Sequence, residues 1–423
     1  MPPTESQPES QPESQPESQP ESAFDVEALR SQFPALRGGA AHFDGPGGSQ
    51  TPQAVADAIS RQLTSPMSTR GELTLAERNS DTAVLDARAA VGDLLGADPA
   101  AVVFGRSMTA LTFEMARTLS QGWGPGDEVV VSRLDHDANI RPWLLAAEAV
   151  GATVRWAEFD PATGELDPAA VAAVVGERTR LVAVTAASNL IGTMPDAAAI
   201  GEIAHGVGAL LYVDAVHLAP HGLVDRAAMG ADLIACSPYK FFGPHCGALA
   251  ATPALLESLH PDKLVPSSDS VPERFELGTL PYELLAGVTA AVDVLAGMVP
   301  SEGSRRERLA TSMAAAGEHE LAVRARLESE LAALPGARLH SRSVRRTPTL
   351  LVTFEGHDAK AVSRHLADGG VNAPAGHFYA LEASRALGLG DTGGLRVGVA
   401  SYTTDEDLDW LVAGLQDYFA RAH

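Results

Sequence analysis

The chain has 423 residues, 45% hydrophobic and 20% charged, which is ordinary globular usage and enough for one large domain with a smaller one. Its formal net charge of -23 repels phosphate backbones and anionic lipid, so neither nucleic acid nor a membrane surface is an expected partner. Cys236 and Cys246 are the only cysteines, which predicts no disulfide framework and no metal site, and fits a reducing, cytoplasmic setting.

From Glu5 to Ser22 the chain repeats Glu-Ser-Gln-Pro, a composition with no branched apolar or aromatic side chain to offset the entropy of ordering. Residues 1–22 are therefore expected to be a disordered tail, more in keeping with an inert extension than a binding arm. No basic region followed by an apolar stretch opens the chain, and the most apolar long segment, Leu284 to Val299, is interrupted by Asp293.

From about Ala101 short apolar runs alternate with longer amphipathic ones. Strands are expected at Ala101 to Phe104, Glu128 to Ser132, Thr153 to Ala157, Leu181 to Thr185, Ala209 to Val213, Leu233 to Cys236 and Ala248 to Ala251. Helical periodicity lies between them, at Leu111 to Leu119, Trp143 to Val150, Pro168 to Val175 and Ala197 to His205. Strands apolar on both faces and joined by helices imply a mainly parallel sheet of seven strands, with ligand groups at the carboxyl ends.

A long helical region from Tyr282 to Leu334, broken near Pro300, leads to a second alternation. Its strands are Leu350 to Phe354 and Leu395 to Val399, and its helices run near Ala359 to Ala367 and Asp405 to Ala420. The expected division is a segment 23–63 packing with the small domain, a large domain over 64–295, and a small α+β domain over 296–423.

Five of the expected strand ends carry polar groups of complementary chemistry. The first runs through Gly105 to Ser107, Met108 and Thr109 and straight into a helix, whose amides and hydroxyls suit a dianionic phosphate. The next carries Asp135, His136 and Asn139, the fourth Ser188 and Asn189, the fifth Asp214 and His217, and the sixth Ser237, Tyr239 and Lys240. A lysine and an acid at successive strand ends match what pyridoxal phosphate requires: an amine for the Schiff base and a carboxylate that keeps the pyridine nitrogen protonated. Taken singly, each residue reads more simply as a cap, a turn former or a solvated loop side chain.

The quoted motifs are Asp135-His136-xx-Asn139-xx-Pro-Trp143, Ser188-Asn189-xx-Gly192, Val213-Asp214-xx-His217, Ser237-xx-Lys240-xx-Gly-Pro244, Arg274-Phe-Glu-xx-Gly-Thr279 and Leu395-Arg396. On these, from Phe43 to the C-terminus, the chain resembles the class V aminotransferase superfamily of fold-type I pyridoxal phosphate enzymes, and most of all its cysteine-desulfurase-like branch. The resemblance implies that Lys240 carries the cofactor, Asp214 pairs with the pyridine nitrogen and His136 stacks on the ring. Asn189 and His217 would flank the phenolic oxygen, and Ser107, Met108, Thr109, Ser237 and Tyr239 would surround the phosphate. It also implies a homodimer in which Thr279 reaches the neighbouring phosphate, an Arg396 that takes the substrate's α-carboxylate, and an Arg70 that approaches the pocket across the interface.

The chain also departs from that branch. Tyr379 stands where desulfurases of this kind place the cysteine that receives sulfur, and a phenol cannot accept it. Tyr239 and His217 replace a histidine and a glutamine common there. The expected activity is therefore elimination of a leaving group, a sulfur one among the candidates, from Cβ or Cγ of an amino acid, without persulfide relay. An aminotransferase or epimerase of the same superfamily, and a non-catalytic cofactor-binding regulator, are the alternatives; Arg396 argues against the last, since a pure binder would not need it.

Overall fold

A computed structural model describes residues 24–421, so the repeat tail lies outside the described residues. In chain order the strands are β1 (Ala41–His42), β2 (Val102–Gly105), β3 (Glu128–Ser132), β4 (Thr153–Ala157), β5 (Thr179–Thr185) and β6 (Leu210–Asp214). They continue with β7 (Leu233–Cys236), β8 (Gly247–Ala251), β9 (Ala337–Leu339), β10 (Thr349–Phe354), β11 (Val371–Asn372), β12 (Ala375–Gly376) and β13 (Gly394–Gly398). Seven of them form one sheet in the order β2-β8-β7-β6-β5-β3-β4.

Every pair in that sheet is parallel except those of β8 with β2 and β7. The exception follows from chain length. Residues 237–246 are too few for the crossover of roughly a dozen or more that a parallel return needs, so β8 doubles back beside β7. That same short link carries Lys240.

Side chains alternate between two cores. Val130, Val182, Val213 and Ile234 join one buried cluster, whereas Val131, Ala183, Tyr212 and Ala235 join the other. Helices Met108–Ser120 and Arg141–Val150 supply Leu111, Met115 and Trp143 to the second cluster, and helices Leu75–Leu95 and Tyr282–Ala296 cover the first. Periodicity did not single out Leu75–Leu95, although its start carries a legible capping box, with Thr74 and Glu77 bonding reciprocally.

A four-stranded antiparallel sheet, β12-β13-β10-β9, builds a third cluster with helices Ala359–Asp368 and Asp405–Arg421. The N-terminal segment divides between the two parts: β1 pairs in parallel with β11, while Phe33 and Val55 enter the first core of the large sheet. Among the described residues no helix is long and apolar enough to cross a membrane.

One close approach fixes the turn after β2. A Cβ on Gly247 would lie 2.2 Å from the carbonyl carbon of Ser107 and 2.3 Å from the amide nitrogen of Met108, so β8 packs directly under the start of that helix. Gly247→Ala is expected to cost about 3 kcal/mol of stability, read as a lower urea midpoint. An unchanged midpoint would show that the turn yields freely.

Candidate active site

The carboxyl ends of β2, β3, β5, β6 and β7 open onto one cavity of about 540 Å³. Ser107, Met108, Thr109, His136 and Asn189 line it, together with Asp214, His217, Ser237, Tyr239 and Lys240. A larger adjoining cavity, about 1210 Å³, shares Lys240, His136, Tyr239 and Asn189 and adds Arg396, Phe378 and Tyr379.

At one end stands the helix that begins at Met108. Ser107 caps it, its Oγ accepting from the Ala110 amide at 3.1 Å, which leaves the hydroxyl proton free to donate. The Met108 and Thr109 amides belong to a first turn with no intrahelical acceptors. Hydroxyls, open amides and the positive helix end together make a cradle for an anion.

Lys240 sits in the turn Pro238–Lys240, its backbone amide donating to Ser237 O at 3.0 Å. Its Nζ donates to the carbonyl of Pro46 and lies 4.9 Å from the Tyr239 ring centroid. Burial, reinforced by Arg396 and opposed by Asp214, lowers its pKa to about 7. The other lysines are remote from this chemistry: Lys263 pairs with Asp269, and Lys360 is exposed.

Asp214 ends β6 and is 4% exposed. Burial raises its pKa to about 6 against the pull of the Val216 amide, 2.9 Å from Oδ1, and of Lys240. It is thus mostly a carboxylate at neutral pH. Tyr239 stacks on His245 with centroids 4.7 Å apart, and burial raises its pKa, so it remains a hydroxyl donor.

His136 is held flat from behind. Its Nδ1 accepts from the Ala138 amide at 3.0 Å, which leaves the ring proton on Nε2, and burial followed by the charges of Lys240 and Arg396 lowers its pKa to about 4. The preceding residue, buried Asp135, accepts from Ser132 and, at 2.7 Å, from Asn139, whose Oδ1 accepts from Trp143 Nε1 at 3.1 Å. Asp135 thus braces Asn139, whose backbone amide donates to His136 O at 2.8 Å, and so ties down the loop that carries the histidine, a role the sequence reading did not give it. The signal was present as the four-residue spacing of Asp135, Asn139 and Trp143.

Arg396, on β13, is 2% exposed and donates from Nη1 to Asn189 O at 2.9 Å, with its Cζ 3.6 Å from the Phe378 ring centroid. Its Nε has no partner, and among the described residues no carboxylate forms a salt bridge with it. Burial, opposed by Asp44, lowers its pKa to about 9. A buried cation in this state calls for an anionic ligand. Gly47 lies against the other side of the guanidinium, with a Cβ there 3.5 Å from Arg396 Nη2 in ordinary contact.

Phe378 and Tyr379 both occupy the left-handed region, with φ of 51° and 61°. Two such non-glycine residues in succession mark a strained loop at the mouth of the site. Tyr379 is 71% exposed, with its ring centroid 5.4 Å from that of His136.

Two of the expected site residues are not brought to this chain's own cavity. Thr279 is exposed and lines a separate hollow with Arg106, His245 and Leu277. Arg70 forms ion pairs with Asp81 at 2.7 Å and Glu273 at 2.8 Å. Cys236 and Cys246 are free but buried in the core, lining neither cavity, and burial pushes the Cys246 thiol up to about 12 and raises that of Cys236 as well.

The residues present fit pyridoxal phosphate. An anion cradle, a carboxylate, a single accessible amine and two unpartnered buried atoms, Asn189 Oδ1 and His217 Nδ1, face one cavity.

Comparison with known proteins agrees. The sequence model of the class V aminotransferase family matches residues 41–411. An uncharacterized protein of Mycobacterium tuberculosis is 39% identical over 93% of this chain and 99% of its own length. An aminotransferase-like protein of Gibberella zeae is 33% identical over 93% of this chain and 98% of its own. The crystal structure of the cysteine desulfurase CsdA from Escherichia coli superposes with a TM-score of 0.83 at 27% identity, covering 94% of this chain and 99% of that one.

With an amine pKa of about 7, covalent capture of pyridoxal phosphate by the cofactor-free chain is expected to rise through neutral pH. Arg396→Gln removes a cation that lowers this pKa, so the midpoint should move to higher pH. Borohydride trapping across a pH series measures it; a native midpoint near the usual lysine range would contradict the assignment.

Proposed function

The chain belongs to the class V aminotransferase family and is a pyridoxal phosphate enzyme of the cysteine-desulfurase-like kind; from that premise we propose that it is a lyase that eliminates a leaving group from the side chain of an α-amino acid. The observation that carries this reading is the unpaired, buried Arg396 guanidinium at the mouth of the Lys240 cavity, in a site that offers no thiol.

The α-carboxylate of the substrate binds Arg396 as a bidentate pair, which places Cα toward Lys240. The cofactor, once bound, supplies a cationic ring into which the electrons left by a departing Cα proton can spread. Lys240, with its pKa near neutrality, takes that proton as a general base. Asp214 would hold a proton on the ring nitrogen, and His136, neutral and fixed through Nδ1 by the Ala138 amide, would cover the ring face and exclude water. Ser107, Thr109 and Ser237 hold the phosphate together with the Met108 amide.

With the electrons at Cα, a leaving group at Cβ departs. Nothing at the mouth captures it covalently, because Tyr379 occupies the loop and both cysteines are in the core. The product leaves as an unsaturated amine that water converts to a keto acid and ammonia.

In this reading the active unit is a homodimer. Thr279 is exposed beside Leu277, itself 59% exposed, and away from its own chain's Lys240 cavity, as a residue serving a neighbouring phosphate would be. A cytoplasmic setting suits the two free thiols. Amino-group transfer is the second reading, favoured by the aminotransferase-like relative.

A panel of amino acids should contain one that yields keto acid and ammonia in equal amounts while the cofactor remains an aldehyde. Accumulation of pyridoxamine phosphate without ammonia would replace elimination by transfer. Arg396→Gln is expected to lower kcat/KM by about 3 kcal/mol, roughly a hundredfold, since one member of a buried charged pair is lost.

A further inference from the structure

A dense run of positive charge links β9 to β10 in a chain that is otherwise strongly acidic. Residues 338–346 hold Arg338, His340, Arg342, Arg345 and Arg346 and no carboxylate. Most arginines among the described residues sit in ion pairs, yet Arg338, Arg342 and Arg345 are exposed and form none. Arg342 donates only to backbone carbonyls, Leu339 O at 2.9 Å and Ala162 O at 3.3 Å.

Nearby acids do not neutralise the run. Glu165 accepts from the Val344 amide at 3.4 Å, Glu328 is shared between Arg346 and, at 3.5 Å, Arg324, and Glu355, just beyond β10, pairs with none of the arginines. The excess is felt locally: the charges of Arg338 and Arg342 add to burial in lowering the His340 pKa to about 4.

The complement of this patch is in the same chain. Residues 1–22 carry Glu5, Glu9, Glu13, Glu17 and Glu21 and no Lys, Arg or His. Without apolar side chains, charge is the one means of contact that this repeat has. The described chain begins on the helix that borders the patch, with the Phe24 ring centroid 5.2 Å from that of His319 in Arg305–Ala332. Arg324 follows His319 by five positions on that helix, about 7.5 Å along its axis, and its Nη1 donates to Arg346 O at 2.8 Å. At roughly 3 Å per residue the 22 residues before Ala23 are long enough to cover that distance, and a short tether gives a local concentration on the order of millimolar.

We propose that the acidic repeat docks on the basic run of its own chain, its glutamates against Arg338, Arg342 and Arg345. Exposed ion pairs are individually weak, so the contact is multipoint and sensitive to salt, and a repeating carboxylate tolerates shifts in register. The run continues directly into Thr347 and Thr349, whose hydroxyls lie 3.1 and 3.0 Å from His217 Nε2 at the cofactor cavity. The docked repeat thus covers the segment that leads into the cavity wall.

The test applies a carbodiimide, which joins a carboxylate to an amine in contact with it, to the full chain carrying Arg345→Lys. That change keeps the charge at an exposed side chain. Peptide mass spectrometry is expected to find the introduced amine joined to glutamates of residues 5–21, with the yield falling about fivefold at about 1 M salt, where the Debye length is about 3 Å. Adding Arg338→Gln and Arg342→Gln should lower the yield in the same direction, and replacing the five repeat glutamates by glutamine should abolish it. Lys360, exposed on another helix, is the internal control. No cross-link at position 345, or one no more abundant than at Lys360, would overturn the proposal. Mixing isotope-labelled with unlabelled chains identifies the source of the repeat: cross-links between labelled and unlabelled peptides in the statistical ratio would assign it to a second copy and overturn docking within one chain.

Discussion

Desolvation of charge at the carboxyl ends of the central strands is the constraint on which the site depends. Burial moves Lys240 down to about 7, Asp214 up to about 6 and His136 down to about 4, each toward its uncharged form. The result at neutral pH is an amine ready to lose or gain a proton, an acid that is still mostly ionised, and an imidazole that is a flat, neutral surface. Arg396 resists neutralisation because guanidinium stays protonated, and since among the described residues no carboxylate forms a salt bridge with it, its burial favours an anionic ligand.

This placement is a consequence of topology. Parallel strands β3, β5, β6 and β7 deliver Asp135, Asn189, Asp214 and Lys240 to one edge of the sheet, and the short return to β8 keeps Lys240 in a tight turn. The small sheet completes the site from the other side, with Arg396 on β13 and Thr349 on β10. Phe378 and Tyr379 then flank the mouth in a backbone conformation that costs energy, held by hydrogen bonds from Asn189 Nδ2 to Phe378 O and from the Asp137 amide to Tyr379 O.

Much of this was legible in the sequence. Apolar runs ending in polar residues marked the strands of the large sheet to within two residues, because a sheet covered on both faces must be apolar throughout its interior. Asp214 was legible for the same reason, since it follows directly on such a run, and Lys240 because it comes four residues after the end of another. What escaped has a common cause in distance along the chain. The hydroxyls that orient His217 come from Thr347 and Thr349, and the carbonyl that receives Lys240 Nζ comes from Pro46; no local pattern reveals such pairings. The antiparallel course of β8 was hidden because strand direction is not a property of the strand's own residues, only of the length of its connection.

The family's sulfur relay has no counterpart in this chain's geometry. Both thiols face the interior, and the exposed position on the loop before Arg396 is a phenol. In the proposed reading the cofactor machinery and the carboxylate anchor are kept while no thiol lines the cavity, so the chemistry would proceed without a covalent acceptor.

The central claim is tested most directly by reducing the isolated holoenzyme with borohydride and locating the modified residue by peptide mass spectrometry. A pyridoxyl group on Lys240 is the predicted result. The same group on Lys263 or Lys360, or on no lysine after incubation with pyridoxal phosphate, would contradict the account.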